Sequence, residues 1–180
     1  MHTSVLHASA GMSLVGLLTA LCLAGCGGEK PSGGTVQAAS ATSVPAAAAP
    51  AAPDGRQLYQ RCAVCHQATG QGVPGAFPPV ALSEWATAAN AALPIRVVLH
   101  GLQGPVTVKG QKFNGTMPAF GTGQPMNDAD VAAVLTYVRS SWGTKASAVT
   151  ADDVAKEREA TASHTAQFTA AELTPLLGGH

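Results

Sequence analysis

Two cysteines three positions apart, with a histidine directly after the second, constrain this chain more than any other feature. The string is Cys62-Ala63-Val64-Cys65-His66. C-x-x-C-H is the spacing of a c-type haem attachment site. On a helix the two thiols lie one turn apart, so each can form a thioether to one edge of a porphyrin. His66 then lies under the iron and offers an imidazole nitrogen. The spacing is demanding, because three side chains must reach one flat ligand from one short helix. A structural zinc site needs four ligands, and no second Cys/His pair stands at finger spacing. A thioredoxin-like dithiol needs a βαβ context, and none precedes Cys62. The residues point to one covalently held haem c.

The remaining cysteines, Cys22 and Cys26, sit near the N-terminus. Residues 1–25 contain no Asp, Glu, Lys or Arg, and an apolar run over 12–25 ends in Leu23-Ala24-Gly25-Cys26. The run is short for a membrane-spanning helix and fits the apolar region of an export signal. Leu-Ala-Gly-Cys resembles the lipobox of bacterial lipoproteins, where the signal is cut before the cysteine and that cysteine carries the lipid. The resemblance implies a lipoprotein signal over 1–25, Cys22 discarded with it, and lipidation of Cys26 on the periplasmic side of a membrane. The segment before the apolar run departs from the pattern, with His2 and His7 but no Lys or Arg. A signal cut nearby without lipid, or an uncleaved anchor, are the alternatives. Residues 27–53 are Gly, Ser, Thr, Ala and Pro with almost no large side chain. Such a stretch buries too little apolar surface to offset its ordering entropy, so 26–53 reads as a disordered tether, spanning roughly 30 Å.

From Asp54 the pattern changes. Asp54 is an N-cap candidate with Gln57 three residues on, and Leu58, Cys62 and Cys65 fall on one helical face. The segment after His66 is rich in Gly and Pro. A long irregular loop counts against a compact domain unless a cofactor fills the interior, and about 90 residues bury little surface alone. A ligating imidazole needs a partner for its other nitrogen, and the region of Pro78-Pro79 can offer a carbonyl. Pro94 suits a first helical turn; Ile95, Val98, Leu99 and Leu102 follow at helical spacing, and Gly101 ends the element. His100, beside this apolar stripe, reads as structural. Residues 106–113 read as a β-hairpin around Lys109-Gly110. Met117, in a loop stiffened by Pro118, is the best candidate for the sixth iron ligand. Met126 is spoken for: Asn127 and Asp130 form a capping box, against which Met126 staples to Val131. Residues 128–141 form the clearest helix, with Val131, Val134, Leu135, Val138 and Trp142 in register and Gly143 as stop. A short helix is expected from about 150 to 160. The rest of the extension to 180, including His164 and His180, reads as irregular and solvent-exposed.

Formal charge is balanced over the chain, which gives no reason to expect nucleic acid as a partner. Residues 54–145 carry seven basic and four acidic residues, net +3, and residues 146–180 two basic and five acidic, net −3. A mildly basic body can steer toward an acidic partner.

A helix bearing C-x-x-C-H, a Pro-rich loop, a middle helix, a Met-Pro loop and an amphipathic last helix together resemble the monohaem class I cytochromes c. Residues 106–120, followed by Leu135-Thr136-Tyr137-Val138-Arg139-Ser140-Ser141-Trp142, are similar to haem domains attached to bacterial membrane dehydrogenases, oxidases and nitrite reductases. The resemblance covers residues 54–160. It implies an all-α class I cytochrome c fold over 54–145, with a small β-hairpin before the methionine loop. It implies Cys62 and Cys65 as haem attachment points, His66 as proximal and Met117 as distal iron ligand, and Pro78 holding the proximal imidazole. One departure stands out. The family usually has an aromatic four residues before the first haem cysteine and a glycine four before that; here Leu58 and Asp54 occupy those places, with Tyr59 and Gly55 shifted by one. The implied function is one-electron transfer without catalysis, between a dehydrogenase or quinol complex and a terminal oxidase or reductase. A haem peroxidase or a gas-sensing module with a labile sixth ligand is the alternative.

Overall fold

The computed structural model describes residues 51–121 and 125–178. The export signal, Cys26, nearly all of the tether and His180 lie outside the described residues. Helix α1 (Gly55–His66) begins at Asp54, whose carboxylate accepts from the backbone N–H groups of Arg56 at 2.9 Å and Gln57 at 3.2 Å. These are two of the donors a helix start leaves without partners. The residue most deeply buried on α1 is Tyr59, fully enclosed, while Leu58 is only half-buried.

Helix α2 (Ala92–His100) buries Leu93, Ile95, Val98 and Leu99, and stops at Gly101, whose φ of 80° suits a glycine. Strands β1 (Leu102–Val108) and β2 (Gln111–Met117) form the expected hairpin. Lys109 and Gly110 turn it with φ of 50° and 74°, the two positive values of a tight hairpin turn. The hairpin is longer than its β-branched residues suggest. Pairing continues through Gly104↔Gly115 and Pro105↔Asn114 to Leu102↔Met117, across residues that favour strands poorly. Met117 therefore ends a strand instead of sitting free in a loop.

Helix α3 (Asp128–Ser140) opens with the anticipated Asn127–Asp130 capping box. It lies on α1 at Gly55, where a Cβ would collide with the Ala133 carbonyl oxygen. Tyr59, one turn along, packs its ring 5.4 Å from that of Tyr137 and 5.2 Å from that of Trp142. The one-position shift of glycine and aromatic thus leaves a close helix-to-helix contact in place.

The chain after residue 146 differs most from expectation. Helix α4 (Ala151–Ala160) is capped by Thr150 and Asp153, and its Val154 is fully buried with residues of α2 and α3. Beyond it, β3 (Phe168–Thr169) pairs parallel to β1, giving the sheet order β2-β1-β3. Helix α5 (Ala170–Leu173) and a 3-10 turn (Thr174–Leu176) follow. Phe168 and Leu173 enter a second apolar cluster with Trp85, Leu93, Val106, Val108 and Phe113. The expectation of irregular chain past Ala160 fails because a short segment with weak periodicity buries two large side chains against a sheet edge supplied from far upstream. The fold is accordingly helical with a three-stranded sheet, not helical alone. Arg96–Glu157 at 2.6 Å and Arg158–Asp128 at 2.8 Å join the extension to the body, and the first pairs a base of the body with an acid of the extension.

The extension is also tied in by Arg139, a fully buried side chain on α3. Its Nη1 donates to the Ala86 and Ala88 carbonyls at 2.9 and 3.0 Å, and its Nε to the Ser147 carbonyl at 2.7 Å. Burial lowers its pKa. Carbonyl oxygens take the place of a carboxylate around this cation, which is how a buried charged donor is satisfied without a counter-ion.

Candidate functional site

Cys62 and Cys65 lie in the last turns of α1, both half-buried and neither in a disulfide. Burial raises the Cys62 thiol to about 11, against the opposing pull of Arg61 and with a further push from Cys65. It is therefore a neutral thiol near pH 7. His66, the last residue of α1, is nearly enclosed.

The chain reverses sharply after His66. Gln67 has φ 63°, a region unfavourable to residues with a side chain. Two bonds hold it there. Its N–H donates to the Ala63 carbonyl at 2.9 Å, and its own carbonyl accepts from the Tyr59 hydroxyl at 2.9 Å. Burial, then Cys62 and Tyr137, push the Tyr59 phenol far above its ordinary range, so it remains a donor. The loop then folds back on the helix end. Gly72 N–H donates to the His66 carbonyl at 2.9 Å, and Val80 and Ala81 N–H groups donate to the Gly70 carbonyl at 2.8 and 2.9 Å.

This loop delivers the Pro78 carbonyl to within 2.8 Å of His66 Nδ1. A carbonyl only accepts, so Nδ1 carries the proton and Nε2 keeps its lone pair. Burial, opposed by that same bond, lowers the His66 pKa. The side chain is a neutral, oriented imidazole, which is the form a metal ligand needs. Gly72 makes the approach possible: its φ is 65°, and a Cβ there would strike the Phe77 and Pro78 carbonyls.

Met117 is half-buried at the end of β2 and packs against the cluster formed by α1, α2 and α3, as does Cys62. Its loop is moored to the end of α2, with Phe120 N–H donating to Val98 O at 2.9 Å and Gly121 N–H to Leu99 O at 3.0 Å. Gly101 passes so near that a Cβ would meet the Met117 carbonyl oxygen. Met126 is 3% exposed within the apolar core, in keeping with a packing role. His100 also faces protein: its Nε2 lies 2.7 Å from Thr161 Oγ1. His164, expected in solvent, stacks on Phe168 with ring centroids 3.8 Å apart. Tyr59, Gly72 and Gln167, the last a hydrogen-bond donor to the Met117 carbonyl, were not singled out as site residues from the sequence. Gly72, in a loop with two other glycines, and Tyr59, as the shifted aromatic, carried the readable signals.

Thiols one turn apart on a helix end, followed by a neutral imidazole with one nitrogen already committed, form a donor set that fits a covalently bound haem. The chain belongs to the cytochrome c family, whose model matches residues 52–142; it is an electron-carrying protein of the class that binds covalent haem c. It is 45% identical over 93 residues to cytochrome c-552 of Thermus thermophilus, a match covering 50% of this chain and 69% of that one. It is 39% identical over 108 residues to the gluconate 2-dehydrogenase cytochrome c subunit of Pantoea cypripedii. It is also 31% identical over 108 residues to the cytochrome c subunit of the quinone alcohol dehydrogenase of Gluconacetobacter polyoxogenes. These two matches cover 58% and 59% of this chain but only 24% and 22% of the subunits.

Proposed function

We propose that this chain is a class I cytochrome c that carries single electrons through one haem attached at Cys62 and Cys65. His66 Nε2 is the proximal iron ligand and Met117 Sδ the distal one. Pro78 fixes the proximal tautomer through its carbonyl. The observation that carries the reading is the 2.8 Å contact of His66 Nδ1 with Pro78 O, directly after two free thiols on the same helix end. Bound in this setting, haem supplies a one-electron iron couple, and histidine with methionine favours a relatively high potential.

The protein's own work is positional. α1 presents both thiols on one side, the Pro78 carbonyl holds the imidazole, and the Met117 loop is moored to α2. The partners on this reading are a membrane or periplasmic dehydrogenase or quinol complex on one side and a terminal oxidase or reductase on the other. The dehydrogenase subunits among its relatives support the first. No helix among the described residues is long and apolar enough to cross a membrane; attachment is through lipid on Cys26, on the periplasmic side.

The test is expression in a strain able to mature c-type haem. Colour resistant to acid acetone is expected, together with the weak long-wavelength sulfur-to-iron band in the oxidised protein. Met117→Ala removes that band and lowers the potential. A colourless product, or a band that survives Met117→Ala, refutes the attachment or the ligand assignment respectively. Mass analysis of membrane fractions tests the anchor: an unmodified Cys26 refutes it.

A further inference from the structure

The C-terminal segment reaches the proposed distal ligand directly. Gln167 Nε2 donates to the Met117 carbonyl oxygen at 2.7 Å, across 50 positions of sequence. The segment is fixed on both sides of that bond. After it, Phe168 N–H donates to Gly101 O at 3.2 Å, and β3 lies in register with β1 at Leu102↔Phe168. Leu102 is also the residue that pairs with Met117 on its other side. Phe168 is buried, and Leu173 is wholly enclosed. Before it, His164 stacks on Phe168, and Thr161 receives His100 Nε2. Gln103 Nε2 donates to the Gln167 carbonyl at 3.3 Å, closing a small polar bracket around the strand end.

The bond falls where it matters for a ligand. Met117 is the last residue of β2, and beyond it the chain turns into the loop that returns to α2. A thioether is a weak neutral ligand, so its hold on a metal depends on where the backbone places it. A strand end has ladder support on one side only. Gln167 supplies support from a third direction.

We infer that Gln167 is a positioning residue for the distal ligand: by gripping the Met117 carbonyl, the C-terminal segment keeps the thioether in place and resists its replacement by outside ligands. This rests on Met117 being that ligand, and the test separates the two.

The experiment uses the haem-loaded full chain. Imidazole is titrated into oxidised wild type, Gln167→Leu, Gln167→Glu, Leu173→Ala and Met117→Ala at neutral pH, following the sulfur-to-iron band. Losing one such hydrogen bond is expected to make Gln167→Leu bind imidazole about fivefold more tightly. Gln167→Glu, whose carboxylate only accepts, should do at least as much. Leu173→Ala weakens the packing of the same segment without touching Met117; below its unfolding range it should bind imidazole within about twofold of wild type, well short of the Gln167 effect. If Gln167→Leu binds imidazole as wild type does while Met117→Ala abolishes the band, the inference fails and the ligand reading stands. If Leu173→Ala matches Gln167→Leu, general loosening is the cause and the inference fails. If the band survives Met117→Ala, both fail.

Discussion

Gly55 of α1 and Ala133 of α3 approach so closely that a methyl group on Gly55 would collide with the Ala133 carbonyl oxygen. The backbones of the two helices are in contact there, and Tyr59 one turn later packs its ring against those of Tyr137 and Trp142. Gly55→Ala would improve helix propensity by about 0.5–1 kcal/mol. Overpacking at a backbone-to-backbone contact costs about 1–3 kcal/mol. The second term wins, so a net loss of stability is expected. Denaturant unfolding of the haem-loaded protein measures it; an unchanged or higher midpoint would contradict the packing.

Gly72 controls the Pro78 carbonyl. Gly72→Ala places a methyl where the Phe77 and Pro78 carbonyls lie and adds about 1–2 kcal/mol of strain at a left-handed φ. The His66 contact should lengthen. A hydrogen bond at Nδ1 raises the basicity of the imidazole toward a metal and so favours the more highly charged iron. Weakening it should raise the reduction potential. A redox titration against wild type reads this, and a fall in potential would count against the stated role.

Arg139→Leu removes three donors from a buried site and leaves the carbonyls of Ala86, Ala88 and Ser147 without them. A loss of about 2–4 kcal/mol is expected. Arg139→Lys should recover only part of it, because one ammonium cannot span carbonyls that the guanidinium reaches from two different nitrogens. Thermal unfolding of both variants tests the ranking.

His100 sets an acid limit on stability. Burial first, then the electrostatic influence of the neighbouring His164, hold its pKa below the ordinary 6.5; Arg158 and Arg96 add to this, and a bond to the His164 backbone opposes it. The folded protein therefore accepts this proton less readily than the unfolded chain. Stability is at its full value above pH 6.5 and falls as pH drops below it toward the folded pKa. The haem-loaded protein isolates the effect, since His66 does not titrate when it holds iron as proposed. The thermal midpoint should decline between pH 6.5 and 5.5, less steeply in His100→Gln, which keeps a donor for Thr161. Parallel curves would remove His100 as the cause.

Much of the site lies within one short stretch, which is why it could be read locally. Cys62, Cys65 and His66 derive their meaning from spacing alone. Asp54, Asn127 and Thr150 are caps whose partners lie two or three residues away, and Lys109-Gly110 closes its own hairpin. These features need no knowledge of the remainder of the chain. Met117 is a candidate that the Met-Pro string offers by itself, yet its setting at a strand end was hidden, because Gly104, Pro105 and Gly115 disguise the ladder that carries β2 that far.

The contacts that escaped local reading are those between residues far apart in sequence. Arg139 reaches Ala86 and Ala88, Phe168 joins a sheet built some sixty residues upstream, and Gln167 reaches Met117. Spacing and periodicity record only what a segment does with its immediate neighbours. A glutamine in an Ala/Thr-rich tail has no local partner to betray it, and a two-residue strand has no period. The last two of these contacts form only when burial of Val154, Phe168 and Leu173 brings the tail back against the body, and that packing exists in three dimensions alone.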